Sequence, residues 1–191
     1  MYRTRVGVDL AKKVIQVCIY RNKKVQSNIE MTPEEFLSWL INNKPVTIIF
    51  EACSTSNYWK QKALQAGHDA RLISAKLVSV VRQNQKTDKN DALAIVQATF
   101  MPDVTFIGGK TVEQQQLQSI KRLRELAVKQ RDASQKQIIA LLFELNIKIS
   151  KRRGGIISAI ESVLEDATNE LSAECRRAIF LAKEHLNGLF K

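Results

Sequence analysis

Within "QNQKTDKNDALAIVQATF", residues 83 to 100, Asp88 and Asp91 stand three apart where a polar segment gives way to an apolar periodic one. At that spacing two carboxylates share one helix face and repel each other. Asp9 lies near the end of the strand-like "RTRVGVDLA", and Glu51 directly follows the apolar run "VTIIF". A charge ending a wholly apolar strand is costly without a partner. If the first and fourth strands are neighbours, Asp9 and Glu51 emerge side by side at one sheet edge, and the helix carrying the Asp pair can close over them. Four crowded anions raise one another's pKa. A bound divalent cation relieves that repulsion, and an all-oxygen donor set suits Mg2+ or Mn2+. Each residue also has an ordinary reading. Asp9 could form a strand-end turn, Glu51 could face solvent, and Asp88 could be an N-cap with Asp91 supporting the positive helix end.

The elements that must position these groups follow from patterning. "RTRVGVDLA", "VIQVCIY" and "KKVQSNIEM" read as three short strands in a meander. "TPEEFLSWLINN" reads as a helix, with Thr32 as N-cap, Pro33 at its first position and Glu34 and Glu35 in its first turn. "PVTIIFEA" has the continuous apolar run of a strand buried on both faces. "STSNYWKQKALQAG" reads as a helix closed by Gly67, "HDARLIS" as a strand, and "AKLVSVVRQ" and "KNDALAIVQATF" as helices. This order predicts an α/β layered domain ending near residue 100, with its boundary drawn at 107. From 111 to 147 there is no Gly or Pro, and Ile120, Leu123, Ala127, Gln130, Ser134, Ile138, Leu141 and Leu145 recur at steps of three and four. That spacing predicts a coiled-coil seam with polar residues in its middle. Residues 108 to 191 are read as this helical region, broken at "KRRGG" and continuing as helix from 156.

Composition narrows the function classes. The 191 residues are 45% hydrophobic and carry a net charge of +11. The net charge is +6 over residues 1 to 109, +7 over 110 to 153 and −2 over 154 to 191. A dense basic segment is the footprint expected of a polyanion partner. On the long helix Lys121, Arg122 and Arg124 avoid most seam positions, and Lys151, Arg152 and Arg153 follow at its end. Beside the carboxylates, Lys12, Lys13, Lys86 and Lys89 are candidate phosphate contacts. Three scattered cysteines and two histidines suggest neither a disulfide framework nor a thiolate or imidazole metal site. The apolar runs are too short for a membrane span and the N-terminus lacks a secretory apolar region, so the chain is read as cytoplasmic.

"VGVDLAKKVIQVCIY", "IIFEACSTSNYWKQKALQAGHDARLIS" and "QNQKTDKNDALAIVQA", in this order and spacing, resemble the N-terminal domain of the DEDD transposases of the IS110 insertion-sequence family. The likeness is greatest to its IS1111 branch, and the pilin-gene invertase Piv is related. The resemblance runs from residue 5 to about 100, and a coiled coil is what the family carries next. It implies an α/β RuvC-like ribonuclease-H fold followed by a long helical extension. It places the family's catalytic, metal-binding tetrad on Asp9, Glu51, Asp88 and Asp91. It also implies a metal-dependent transposase acting on DNA and guided by a structured bridge RNA; the coiled-coil seam is expected either to drive self-association into a dimer or tetramer or to pack within one chain against residues 156 to 190. Family members continue into a C-terminal domain bearing a serine nucleophile, and "LNGLFK" closes this sequence before one. Complete recombination by this chain alone is therefore not expected.

Two other readings remain open. A stand-alone junction nuclease, in which metal activates water, needs no serine. A non-catalytic RNA- or DNA-binding module would keep the carboxylates as a relic. An actin-like ATPase, suggested by "GVDLAKK", lacks a second glycine-rich phosphate loop.

Overall fold

The fold was analysed as a computed structural model that describes residues 4 to 82, 85, 87 to 149 and 155 to 190. The elements are β1 (Arg5–Leu10), β2 (Ile15–Arg21), β3 (Lys24–Met31), α1 (Pro33–Asn42), β4 (Thr47–Glu51), α2 (Ser56–Gln65), β5 (Asp69–Ile73), α3 (Ala75–Val81), α4 (Asp88–Ala98), α5 (Val112–Glu144), α6 (Gly155–Glu165) and α7 (Ala173–Gly188). The chain divides into two compact units after Gln115, eight residues beyond the expected boundary.

The first unit is built on a five-stranded mixed sheet of order β3-β2-β1-β4-β5. The β1-β2 and β2-β3 pairs are antiparallel, whereas β1-β4 and β4-β5 are parallel. The β2-β3 turn is made by Asn22 and Lys23, both at positive φ, as a two-residue hairpin requires. Side-chain alternation sends Val6, Val8, Ile15, Val17, Ile48 and Phe50 to one face, where they pack with Phe36 and Leu40 of α1 and Trp59 and Ala63 of α2. Thr32 caps α1 in a capping box with Glu35, as the sequence suggests. Gly67 follows α2 at φ 87°, the left-handed conformation a helix-terminating glycine adopts.

The opposite face carries α3 and α4. Ile49 and Ile73 pack there with Val78, Ala94, Ile95 and Ala98, and Cys18 with Ala92 and Val96. Gly7 lies directly under α4. A Cβ there would collide with the carbonyl oxygen of Ala92 and come within 2.7 Å of Val96 Cγ2, so only glycine lets the helix approach this closely. Arg5 Nη1 donates to the Thr99 carbonyl at 2.8 Å, which ties the C-terminal end of α4 to the start of β1. These two contacts make α4 run antiparallel to β1 and bring its first turn to the strand's C-terminal end.

The second unit holds most of α5 with α6 and α7. Ile138 and Leu142 of α5 pack with Ile156, Ile160 and Val163 of α6 and Leu186 of α7. The buried pair on α5 is four residues apart, so Leu142 lies inside while the expected seam residues Leu141 and Leu145 remain half exposed. Ile120 and Leu123, at 63% and 66% exposure, are covered by no described residue to that extent a seam requires. Residues 156 to 190 form two helices, not the single one the apolar pattern predicts. The break lies at 166 to 172, where the Asp166 carboxylate accepts from the Thr168 amide at 2.9 Å and hydroxyl at 2.6 Å. Ser172 then caps α7 by accepting from the Cys175 amide. Local side-chain hydrogen bonds of this kind outcompete helix continuation. Among the described residues no helix is long and apolar enough to cross a membrane.

Candidate functional site

The parallel pairing of β1 with β4 carries Val8 opposite Phe50, so the next residue on each strand, Asp9 and Glu51, leaves the sheet at the same end. Both are half-buried. Asp9 shares its face of β1 with Gly7, two residues earlier, and this is the face that α4 crosses. Glu51 shares its face of β4 with Ile49, which packs among residues of α3 and α4. Thr87, not Asp88, caps α4, its hydroxyl accepting from the Asn90 amide. Asp88 is thereby the first residue of α4, with Asp91 one turn on in the same N-terminal region. All four sequence-identified carboxylates are thus gathered at one end of the sheet and on one side of it.

They do not all stand in the same environment. Asp88 is exposed, whereas Asp91 is buried at 7% exposure and accepts a 2.7 Å hydrogen bond from Arg82 Nη1. Arg82 is the C-cap residue of α3 and reaches across to α4. A buried carboxylate needs a positive partner, and here a guanidinium fills that role. Among the described residues no three acidic, histidine or cysteine side chains converge closely enough to enclose an ion.

One buried acceptor lies beside this group. Gln16 is paired directly with Asp9 across β1 and β2, so the two side chains stand on the same face. Gln16 Nε2 donates to Asn28 Oδ1 at 2.8 Å, and Asn28 Nδ2 donates to the Lys89 carbonyl in the first turn of α4 at 2.9 Å. This relay joins β2, β3 and the helix that bears Asp88 and Asp91. Gln16 Oε1 is buried and has no hydrogen-bond partner. Leaving such an acceptor unmet costs roughly 1–3 kcal/mol. Carboxylates and an amide oxygen are donor types that a hard divalent cation takes, although these side chains do not converge on one point among the described residues.

Of the candidate phosphate contacts, Lys12 and Lys13 are exposed in the turn after β1, next to Asp9, and Lys89 is exposed between Asp88 and Asp91. Lys86, Lys151, Arg152 and Arg153 lie outside the described residues. In the second unit Lys121, Arg122 and Arg124 are exposed on α5. Lys121 stands 3.9 Å from Glu125, a solvent-screened pair that leaves it available to another anion. Arg131, by contrast, is engaged with Asp132 at 2.7 Å and lies over the Phe190 ring.

Sequence reasoning passed over Arg82, Gln16 and Asn28. Gln16 had a legible signal, a polar residue within the apolar strand "VIQVCIY" at a position sharing parity with Cys18 on the helix-covered face. Arg82 had none, because its partner Asp91 is set by the packing of α3 against α4.

Comparison with known proteins identifies the family of the chain. Residues 6–147 match the family model for the DEDD transposases of IS110, described as a transposase. The chain is 29% identical over 191 residues to a protein of Pseudomonas aeruginosa named "Probable family 20 transposase", covering 99% of this chain and 56% of that protein. It is 30% identical over 175 residues to the transposase for insertion sequence element IS1111A of Coxiella burnetii, covering 91% of this chain and 48% of that protein. The chain thus spans about half the length of the curated relatives it matches. Among solved structures it is similar to Thermus thermophilus RuvC in complex with a Holliday junction substrate, at 12% identity and a TM-score of 0.38, over 55% of this chain and 99% of that one. With a family match extending over most of its residues, the chain belongs to the IS110 family of DEDD transposases.

Proposed function

We propose that this chain is the metal-dependent, RuvC-like catalytic part of an insertion-sequence transposase, with Asp9, Glu51, Asp88 and Asp91 as the residues that hold Mg2+ or Mn2+ at a DNA phosphate. The observation that carries the reading is the meeting of two strand ends and one helix start, since β1 and β4 deliver Asp9 and Glu51 where α4 delivers the Asp pair. A divalent cation bound there supplies charge stabilisation to a phosphate undergoing attack. The chain's own residues do the rest of the positioning. Lys12 and Lys13, in the turn after Asp9, and Lys89, in the first turn of α4, offer cations to flanking phosphates. The N-terminal end of α4 adds its positive dipole at the same place. Arg82 holds Asp91 until a stronger cation competes for it.

The same reading gives the basic face of α5 to a structured guide RNA, supported by the exposure of Lys121, Arg122 and Arg124 and by the excess charge of residues 110 to 153. On sequence grounds Lys151, Arg152 and Arg153 join these RNA contacts, and Lys86 joins Lys12, Lys13 and Lys89 as a phosphate contact beside the carboxylates.

The test is Mn2+ binding by the purified chain, followed by electron paramagnetic resonance and by melting temperature. Wild type is expected to take up Mn2+ and to gain stability by RT ln(1 + [L]/Kd), about 2.7 kcal/mol at one hundred times Kd. Asp9→Asn and Glu51→Gln are expected to lose most of that gain. A chain whose melting point ignores millimolar Mn2+, and whose nucleic-acid binding is indifferent to both substitutions, is a non-catalytic binding module. Cleavage of branched DNA by the chain with no covalent protein adduct selects a junction nuclease instead.

A further inference from the structure

In the described arrangement Asp91 is already taken, because Arg82 Nη1 donates to its Oδ1 at 2.7 Å. The guanidinium is the less committed partner. Among the described residues this is the one side-chain hydrogen bond that Arg82 makes, out of the several N–H groups a guanidinium carries, and its side chain is 24% exposed. Other exposed cations stand at the same end of the sheet, with Lys89 in the first turn of α4 and Lys12 and Lys13 in the turn after β1. The amino end of α4 adds its positive dipole. Such a region draws a polyanion, and a phosphate can meet the guanidinium fork with two oxygens where Asp91 meets it with one.

Turning Arg82 to a phosphate would leave a buried carboxylate without its cation, which is strongly unfavourable. Bringing a divalent cation to Asp91 while Arg82 stays in place sets two cations against each other. Each change is costly alone, and each relieves the other, since the phosphate takes the guanidinium as the metal takes the carboxylate. We propose that the Arg82–Asp91 pair is a latch that makes divalent-cation binding in the carboxylate region depend on a nucleic-acid phosphate. In the latched state Asp91 is withheld from the other three acids, and the carboxylates do not converge. Arg82 is then a positioning residue that acts through Asp91. This role rests on the carboxylate reading above and adds to it the order in which the site is assembled.

The experiment measures the Mn2+ dissociation constant of the whole chain by electron paramagnetic resonance of the free ion, with and without a saturating short DNA duplex, for wild type, Arg82→Gln and Asp9→Asn. Asp9→Asn with the duplex gives the Mn2+ that DNA takes up by itself. For wild type the duplex is expected to lower Kd at least tenfold, and Mn2+ to tighten DNA binding by the same factor, since such coupling is reciprocal. Arg82→Gln is expected to bind Mn2+ at least threefold more tightly than wild type without DNA, and to respond to the duplex less than threefold. Asp9-dependent binding in wild type that ignores the duplex overturns the latch and leaves the carboxylate reading standing. So does a full response to the duplex in Arg82→Gln, which would make the phosphate a metal ligand in its own right, or weaker DNA-free binding in Arg82→Gln than in wild type, which would make Arg82 a support of the site. Should Arg82→Gln fail to fold, Arg82→Met, which keeps the apolar stem, carries the same comparison. Wild type that binds no Mn2+ in an Asp9-dependent way, with or without DNA, overturns both readings.

Discussion

Asp91 is the most buried of the four carboxylates, and its partner in the protein alone is the Arg82 guanidinium at 2.7 Å. A guanidinium and a divalent cation compete for the same lone pairs, so Arg82→Gln is expected to do two opposite things. It should lower metal-free stability by about 2 kcal/mol, the worth of a hydrogen bond to a charged group. It should also tighten Mn2+ binding severalfold, because the resident competitor is gone. Calorimetric melting with and without Mn2+ checks both, and a loss of stability that Mn2+ does not repair would make Arg82 a structural residue only. A second expectation at this scale concerns Cys18, whose thiol burial pushes up to about 11. The folded state keeps its proton while the unfolded thiol, near 8.5, has lost it, so stability falls as pH rises between the two values and is undisturbed below them. Urea midpoints measured from pH 8 to 11 check the sign. At neutral pH a thiol reagent should label exposed Cys53 and spare buried Cys18 in the native protein.

The element on which the site depends is α4, because it crosses Gly7 and delivers two carboxylates at once. Gly7→Ala places a methyl against the Ala92 carbonyl and 2.7 Å from Val96 Cγ2, and backbone on one side of that contact cannot rotate away. The substitution is expected to cost about 1–3 kcal/mol through overpacking. Mn2+ affinity should fall as well, since lifting α4 moves Asp88 and Asp91 away from Asp9 and Glu51. Thr32→Ala is the matching control on the far face. It removes the capping box of α1, where the Thr32 hydroxyl accepts from the Glu35 amide at 3.2 Å, and should cost about 1 kcal/mol. Mn2+ affinity should not respond. If both substitutions weaken metal binding in proportion to their loss of stability, the site senses global stability and not the placement of α4.

At the scale of the whole molecule, the charge lies mainly outside the carboxylate region, with +7 concentrated between residues 110 and 153. Changing Lys121, Arg122, Arg124, Lys151, Arg152 and Arg153 to Ser is expected to weaken binding to structured RNA at least tenfold. Each lost phosphate contact should lower the slope of log affinity against log salt by about 0.7–0.9. The melting temperature should barely move, since the three of these residues that are described are exposed. Affinity and slope both at wild-type values would move the nucleic-acid surface to the α/β unit. The exposed Ile120 and Leu123 on α5 leave self-association open, and a strictly monomeric sedimentation profile at high concentration would exclude it.

Patterning along the chain was enough to define the strand and helix order, the capping of α1 by Thr32, the burial of β4 on both faces and the four carboxylates at element ends. These features are local: alternation, capping and apolar runs act over a few residues, and a charge ending an apolar strand is visible without a partner. The pairing of Arg82 with Asp91, the unmet oxygen of Gln16 and the choice of Leu142 over Leu141 on α5 belong to the tertiary structure. So does the division of residues 156 to 190 into two helices, where an aspartate–threonine turn and the Arg176 guanidinium, bonded to the carbonyls of Leu164 and Asn169, outweigh a helical apolar period. Apart from the Asp166–Thr168 turn, which is local, each depends on which surface another element presents. Sequence spacing specifies which residues share a face, and only packing specifies what that face meets.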